Sequence, residues 1–392
     1  MYYQFALRFL LISLIFTSCQ APAKNREGHE LRLGCERLEE YLPLLNGKQV
    51  GLLVNHTSLV GQTHLIDTLL TRGINVAKIY APEHGFRGKA DAGEHIKSGQ
   101  DVKTGLPVVS LYGKHKKPNK QDLEGVDVVI FDIQDVGARF YTYISSMHYM
   151  MEACAENSIP MLVLDRPNPN GDYYDGPVLD LEFQSFVGMH PIPIVHGLTV
   201  GELAQMINGE RWLNDSVQCD LQVVKMDNYR HEMAYSLPVK PSPNLPNDIS
   251  IRLYPSLCFF EATEISVGRG TYMPFQVIGY PDSTYGDFTF TPVSIEGMSK
   301  HPPQQDKLCY GVDLRNEPLA HRFTLSYLLT FYEKSNFSDS FISRERWFNL
   351  LAGNDTLLKK IEAGWSEVEI RASWSNELED YATLRKQYLL YP

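Results

Sequence analysis

The sequence predicts an α/β fold: a mostly parallel sheet covered by helices on both faces, followed by a smaller α+β domain. Three observations predict it. Short β-rich runs alternate with helix-like segments between residues 49 and 224. Several of those apolar runs stop abruptly at clusters of polar residues, as strands do where parallel sheets open a crevice at their carboxyl ends. Prolines then crowd at positions 238, 241, 243 and 246, ahead of a stretch of mixed element order.

The first run is Val50-Gly51-Leu52-Leu53-Val54, and residues 64–72 read as a helix stopped by Gly73. Ile74-Asn75-Val76-Ala77-Lys78-Ile79-Tyr80 and Val126-Asp127-Val128-Val129-Ile130-Phe131 read as strands. A helix over residues 143–157 separates the latter from Met161-Leu162-Val163-Leu164, and residues 221–224 form a further strand. Thr199-Val200-Gly201-Glu202 has the spacing of a capping box, which also accounts for Gly197-x-Thr199-x-Gly201 without a nucleophile elbow. The proline cluster forbids helix or central strand, so it marks a rigid connection and a domain boundary near Ile249. This divides the chain into an α/β domain over residues 36–248 and an α+β domain over 249–392. In the latter, residues 288–295 read as a strand, and 321–334 and 355–363 as helices.

A chain of 392 residues has room for two cores, and its 43% hydrophobic and 21% charged content is that of a globular protein. A net charge of -11 argues against nucleic acid or an anionic membrane surface as the main partner. Residues 1–19 carry one basic side chain, Arg8, then an apolar stretch too short to span a bilayer, then Thr17 and Ser18 before Cys19. This resembles a bacterial lipoprotein signal with Cys19 as the lipidated residue. Phe16 replaces the usual aliphatic residue, which leaves an ordinary secretory signal as the alternative. Residues 20–35 would be a tether, and the protein is expected to be exported and lipid-anchored to a bacterial membrane, periplasmic or at the cell surface. The other cysteines show no C-x-x-C spacing and read as small buried hydrophobes.

No G-x-G-x-x-G follows a strand, and there is no P-loop, H-E-x-x-H or G-x-S-x-G, which disfavours nucleotide-using enzymes, zincins and ordinary serine hydrolases. No cofactor or metal is expected. Glu83 is the foremost candidate acid. It sits between Pro82 and His84-Gly85, and a carboxyl held partly out of water at a crevice rim can donate a proton near neutral pH. Its structural alternatives are a helix cap or a pair with Arg87, and His84 reads as an orienting neighbour. Asp132, ending its run ahead of Asp135 and Arg139, could supply the second carboxylate that glycosidic hydrolysis commonly needs, or could simply bind loop amides. Asp165-Arg166-Pro167-Asn168-Pro169-Asn170-Gly171 reads as a stiff wall with asparagines for sugar hydroxyls. Glu261 and Glu264, followed by Gly268-Arg269-Gly270, form a third cluster in which an arginine can approach a carboxylate bidentately. Its alternative is an intrachain Glu-Arg pair. Tyr112, Tyr141, Tyr143 and Tyr272 lie near these clusters and offer faces for sugar rings.

Six motifs in order carry a resemblance that spans nearly all of the chain from about residue 38: Gly51-Leu52-Leu53-Val54-Asn55-His56-Thr57, Pro82-Glu83-His84-Gly85-Phe86-Arg87-Gly88, the run from Phe131-Asp132-Ile133-Gln134-Asp135 through Arg139 to Tyr143, Asp165-Arg166-Pro167-Asn168-Pro169, Pro241-Ser242-Pro243-Asn244-Leu245-Pro246, and Glu264-Ile265-Ser266-Val267-Gly268-Arg269-Gly270. At these positions the sequence resembles the NamZ family of exo-β-N-acetylmuramidases. The resemblance implies a Rossmann-like first domain, a cleft shared with the smaller domain, and removal of N-acetylmuramic acid from non-reducing ends of peptidoglycan fragments. It also implies Glu83 as catalytic acid. The expected catalytic set is then Glu83 and His84 with Asp132 or Glu264, and the expected sugar-binding set is Asn55, Arg87, Asp135, Arg139, Tyr143, Asn168 and Arg269. Selection of the lactyl carboxylate of N-acetylmuramic acid calls for an arginine, for which Arg87, Arg139 and Arg269 are the candidates. A peptidoglycan-binding lipoprotein without catalysis is the alternative. A metal-dependent hydrolase built on His56, Glu83, His84 and Asp132 is disfavoured by the missing ligand spacing.

Overall fold

Seven strands make the central sheet of this computed structural model, which describes residues 30–83, 85, 99–316 and 323–392. In chain order the strands are β1 (Gln49–Val54), a small hairpin β2 (Leu59–Val60) and β3 (Thr63–His64), then β4 (Asn75–Ala81), β5 (Gly99–Gln100), β6 (Pro107–Ser110), β7 (Val128–Asp132), β8 (Met161–Leu164), a second hairpin β9 (Asp175–Val178) and β10 (Pro193–Val195), and β11 (Leu221–Val224). The sheet order is β11-β8-β7-β1-β4-β6-β5, and every pairing is parallel except β5 with β6. The central strands are nearly continuous apolar runs because both faces are covered: β7 and β8 are buried at every position. Parallel order puts the ends of β1, β4, β7 and β8 along one edge, as the clustered polar residues predict.

The helices covering this sheet are α1 (Leu38–Leu45), α2 (Leu65–Thr71), α3 (Tyr143–Glu156) and α4 (Val200–Gly209). The capping box at α4 is formed: Glu202 N–H donates to Thr199 Oγ1 at 3.2 Å and Thr199 N–H to Glu202 Oε2 at 2.8 Å. The proline cluster is neither helix nor strand. It folds as a turn in which Leu245 N–H donates to the Ser242 carbonyl at 3.2 Å, and Asn247 then caps α5 (Asp248–Leu257). Pro255 inside α5 cannot donate to the Ile251 carbonyl, and the Asn170 amide does so instead, at 3.3 Å. Asn170 also donates to the Val136 carbonyl at 2.8 Å, so one side chain ties the ends of two sheet loops to the helix that leaves the sheet.

Beyond α5 lies a separate antiparallel sheet of β12 (Val277–Tyr280), β13 (Phe288–Phe290) and β14 (Cys309–Asp313), in the order β12-β14-β13. The strand expected over 288–295 stops at Phe290 because Pro292 cannot extend the ladder. Helices α6 (Ser326–Lys334), α7 (Glu345–Ala352), α8 (Thr356–Glu362), α9 (Glu367–Ala372) and α10 (Ser375–Arg385) complete this part, and none among the described residues is long and apolar enough to cross a membrane. The final residues return to the first sheet, where the Tyr391 hydroxyl donates to Asp165 Oδ2 at 2.6 Å, and residues Leu31–Pro392 form one compact unit. Cys35, Cys154, Cys219, Cys258 and Cys309 are free and buried.

Candidate active site

Glu83 stands two residues past β4, in a turn closed by Gly85 N–H on the Pro82 carbonyl at 3.1 Å. Gly85 has φ +70°, a left-handed conformation that a side chain at this position would strain. The Glu83 carboxyl is half-buried and accepts from Thr142 Oγ1 at 3.2 Å, while the Tyr143 hydroxyl donates to the Glu83 carbonyl at 3.4 Å. Tyr112 shares a further hydrogen bond with Glu83. Burial, reinforced by the Glu83 charge, pushes the Tyr112 phenol up to about 12 and raises that of Tyr143, so both remain protonated donors around neutral pH.

Glu83, Thr142 and Tyr143 line a cavity of about 200 Å3. Its other walls come from far along the chain: Ser242 and Asn244 of the proline-rich turn, Tyr254 of α5, Glu261, Arg269 and Phe275, and Trp347 and Leu351 of α7. Arg269 donates to Glu261 Oε1 through Nε at 2.8 Å and Nη2 at 2.5 Å, with the Phe275 ring 5.1 Å beneath its guanidinium. Burial disfavours the Arg269 charge, and the Glu261 charge and hydrogen bonds outweigh it, leaving the guanidinium more basic than usual. A carboxyl, an ion pair, amides and aromatic faces around one hollow suit a polar ring with apolar faces, such as a sugar.

The other candidates are placed differently. Asp132 is fully buried and both its oxygens are taken by Arg166, Nε to Oδ1 at 2.6 Å and Nη2 to Oδ2 at 2.9 Å, so it is a tie between neighbouring loops and not a cavity carboxylate. Glu264 is exposed and outside the cavity lining; the carboxylate of its cluster that enters is Glu261. Arg139 is fully buried, and its guanidinium donates to the carbonyls of Pro177, Ile192, Leu351 and Ala352 at 2.8, 2.8, 2.9 and 2.6 Å. The last two are C-terminal carbonyls of α7, so Arg139 caps that helix and places Leu351 on the cavity wall instead of meeting a ligand. Burial with no carboxylate beside it pushes Arg139 down to about 9.

Asp135 is buried against the Gly137 amide, 2.7 Å from Oδ2, with His196 Nε2 at 3.3 Å. Asn168 donates to the Leu198 carbonyl at 2.8 Å and accepts from Asn170 N–H at 2.8 Å, which makes it loop scaffolding. Asn55 accepts from the Thr57 amide and hydroxyl at 2.8 and 2.6 Å and lies beside the Tyr143 hydroxyl, one step removed from the cavity. His56 Nε2 pairs with the Lys240 carbonyl at 2.8 Å, and Tyr272 is exposed. Cys19, His84 and Arg87 lie outside the described residues.

Residues 50–249 match the family model described as "Exo-beta-N-acetylmuramidase NamZ, N-terminal", and residues 252–391 match "Exo-beta-N-acetylmuramidase NamZ, C-terminal". The chain belongs to the NamZ family. Among relatives, it is 42% identical over 381 residues to the peptidoglycan beta-N-acetylmuramidase NamZ of Bacillus subtilis (strain 168), covering 90% of this chain and 89% of that protein. Two crystal structures of DUF1343 family proteins from Bacteroides fragilis NCTC 9343 share the fold. One, at 48% identity, has a TM-score of 0.86 and spans 93% of this chain and 99% of the other; the second, at 29% identity, has 0.78 over 92% and 99%. The two NamZ models meet at the start of α5, the helix that links the two sheets.

Proposed function

We propose that this protein is a glycoside hydrolase that removes single N-acetylmuramic acid residues from the non-reducing ends of peptidoglycan fragments, with Glu83 as the general acid. The observation that carries the reading is the placement of Glu83: among the described residues it is the one acid of the sheet edge that lines the cavity, and its side-chain partners there are the hydroxyls of Thr142 and Tyr112. A carboxyl so held can give its proton to the glycosidic oxygen. At about 200 Å3 the cavity is smaller than the roughly 300–1,000 Å3 of sites for drug-sized ligands, which favours one sugar residue over a run of them. Arg269 Nη1 makes no hydrogen bond among the described residues and supplies the cation for the lactyl carboxylate. Export to a membrane through Cys19 would put the enzyme beside its cell-wall substrate.

Incubating the protein with a disaccharide of N-acetylmuramic acid linked to N-acetylglucosamine tests the reading. Release of both monosaccharides is expected, with longer glycans shortened one terminal residue at a time. Calorimetric binding without product would instead support a non-catalytic peptidoglycan-binding protein.

A further inference from the structure

Arg269 contacts only one oxygen of its partner: both Nε and Nη2 point at Glu261 Oε1. Glu261 Oε2 and Arg269 Nη1 are left without hydrogen-bond partners among the described residues, although both side chains line the cavity. The pair therefore offers an acceptor and a donor side by side. A guanidinium serving only a substrate carboxylate would gain nothing from Glu261, whose charge weakens its attraction for a second anion. N-acetylmuramic acid carries its lactyl ether and its acetamido group on adjacent ring carbons, C3 and C2. Groups adjacent on the ring thus match groups adjacent on the protein, and C1, with the bond to be broken, comes next to C2.

We propose that Glu261 is a catalytic residue, the second carboxylate of the reaction: its Oε2 accepts the acetamido N–H of the substrate while Arg269 Nη1 takes the lactyl carboxylate. The proposal rests on the muramidase reading. As Glu83 gives its proton to the glycosidic oxygen, the C1–O bond breaks and its electron pair stays with that oxygen. The acetamido carbonyl oxygen donates a lone pair to C1 and closes an oxazolinium ring, whose positive N–H lies against Glu261. Water then attacks C1 and gives its proton to the Glu83 carboxylate, while the ring C1–O pair returns to the acetamide. One water is consumed, Glu83 is protonated again, and the configuration at C1 is retained.

Aryl β-N-acetylmuramides test this. Absent turnover by the unaltered protein would remove the muramidase reading itself. With turnover established, kcat is expected to fall ~100-fold or more as the N-acetyl group is replaced in turn by mono-, di- and trifluoroacetyl, because each fluorine weakens the attacking carbonyl. Glu261→Gln is expected to lose ~100-fold in kcat per folded molecule, whatever melting temperature is lost with the Arg269 ion pair, and the first-formed sugar is expected to be the β anomer. A flat response to fluorination, full activity in Glu261→Gln, or an α product would each overturn the proposal. The fluorination series uses the unaltered chain and decides the matter even if the variant does not fold.

Discussion

The Thr142 hydroxyl donates to Glu83 Oε2 at 3.2 Å from the N-cap position of α3, where it makes no cap to its own helix. Threonine at that position ordinarily satisfies a free helix amide, a contribution of about 1 kcal/mol. Here the local preference is given up and the hydroxyl is turned toward the candidate acid, the kind of departure expected at functional sites. Thr142→Val should therefore lower kcat by about tenfold and move the pH–rate profile, with a stability change under about 1 kcal/mol because no cap is lost. Thr142→Ser should restore both readouts. Unaltered kcat in Thr142→Val would show that the hydroxyl does not serve Glu83.

Asp132 and Arg166 present the opposite case, a buried pair committed to each other. Removing one partner strands the other, at a cost of about 3–5 kcal/mol. Asp132→Asn should lower the urea midpoint accordingly, while the fraction that remains folded turns over at the normal rate. A catalytic loss of ~100-fold with normal stability would return Asp132 to the mechanism.

Arg139→Met should likewise act on folding. It removes the donors to four carbonyls, two of them at the end of α7, and leaves those acceptors buried. Stability should fall by several kcal/mol, on the order of 1–3 for each acceptor stranded, and the ratio of kcat/KM for N-acetylmuramyl over N-acetylglucosaminyl substrates should hold. A collapse of that ratio in a stably folded variant would contradict the assignment.

Burial, followed by the nearby Glu202 charge, raises Asp165 to about 6, even though Tyr391, Gly201 and Thr199 donate to it. A carboxyl raised in the folded state stabilises the protein fully below its unfolded value near 4, and that contribution is lost as pH rises through about 6. The shift corresponds to about 2 kcal/mol favouring pH 4 over pH 7 at this residue. Carbon-13 NMR of the Asp165 carboxyl should show a midpoint near 6; a midpoint near 4 would refute the linkage.

Much of this was legible in the sequence because it was local. Short apolar runs made the central strands, Thr199 and Glu202 made their capping box, and the stop after β4 put Glu83 at the edge. What was not legible depended on partners distant in sequence or on backbone winding. A strand-end aspartate reads the same whether it faces a crevice or Arg166, which comes from the next strand's loop. Glu261 and Glu264 are equivalent as spacing. The 3-10 segment Cys258–Ala262 turns the first inward, and the extended Thr263 after it sends the second out to solvent. Nothing local in the sequence marks Thr142 as turned toward Glu83, and the proline cluster read as a connector although Ser242 and Asn244 line the cavity.

The most direct test of the account is turnover of an aryl β-N-acetylmuramide by Glu83→Gln, with circular dichroism and melting temperature showing an intact fold. The account predicts a loss of ~100-fold or more in kcat with little change in KM, partly relieved on substrates whose leaving group needs no proton. Near-normal kcat in a folded Glu83→Gln protein would contradict it.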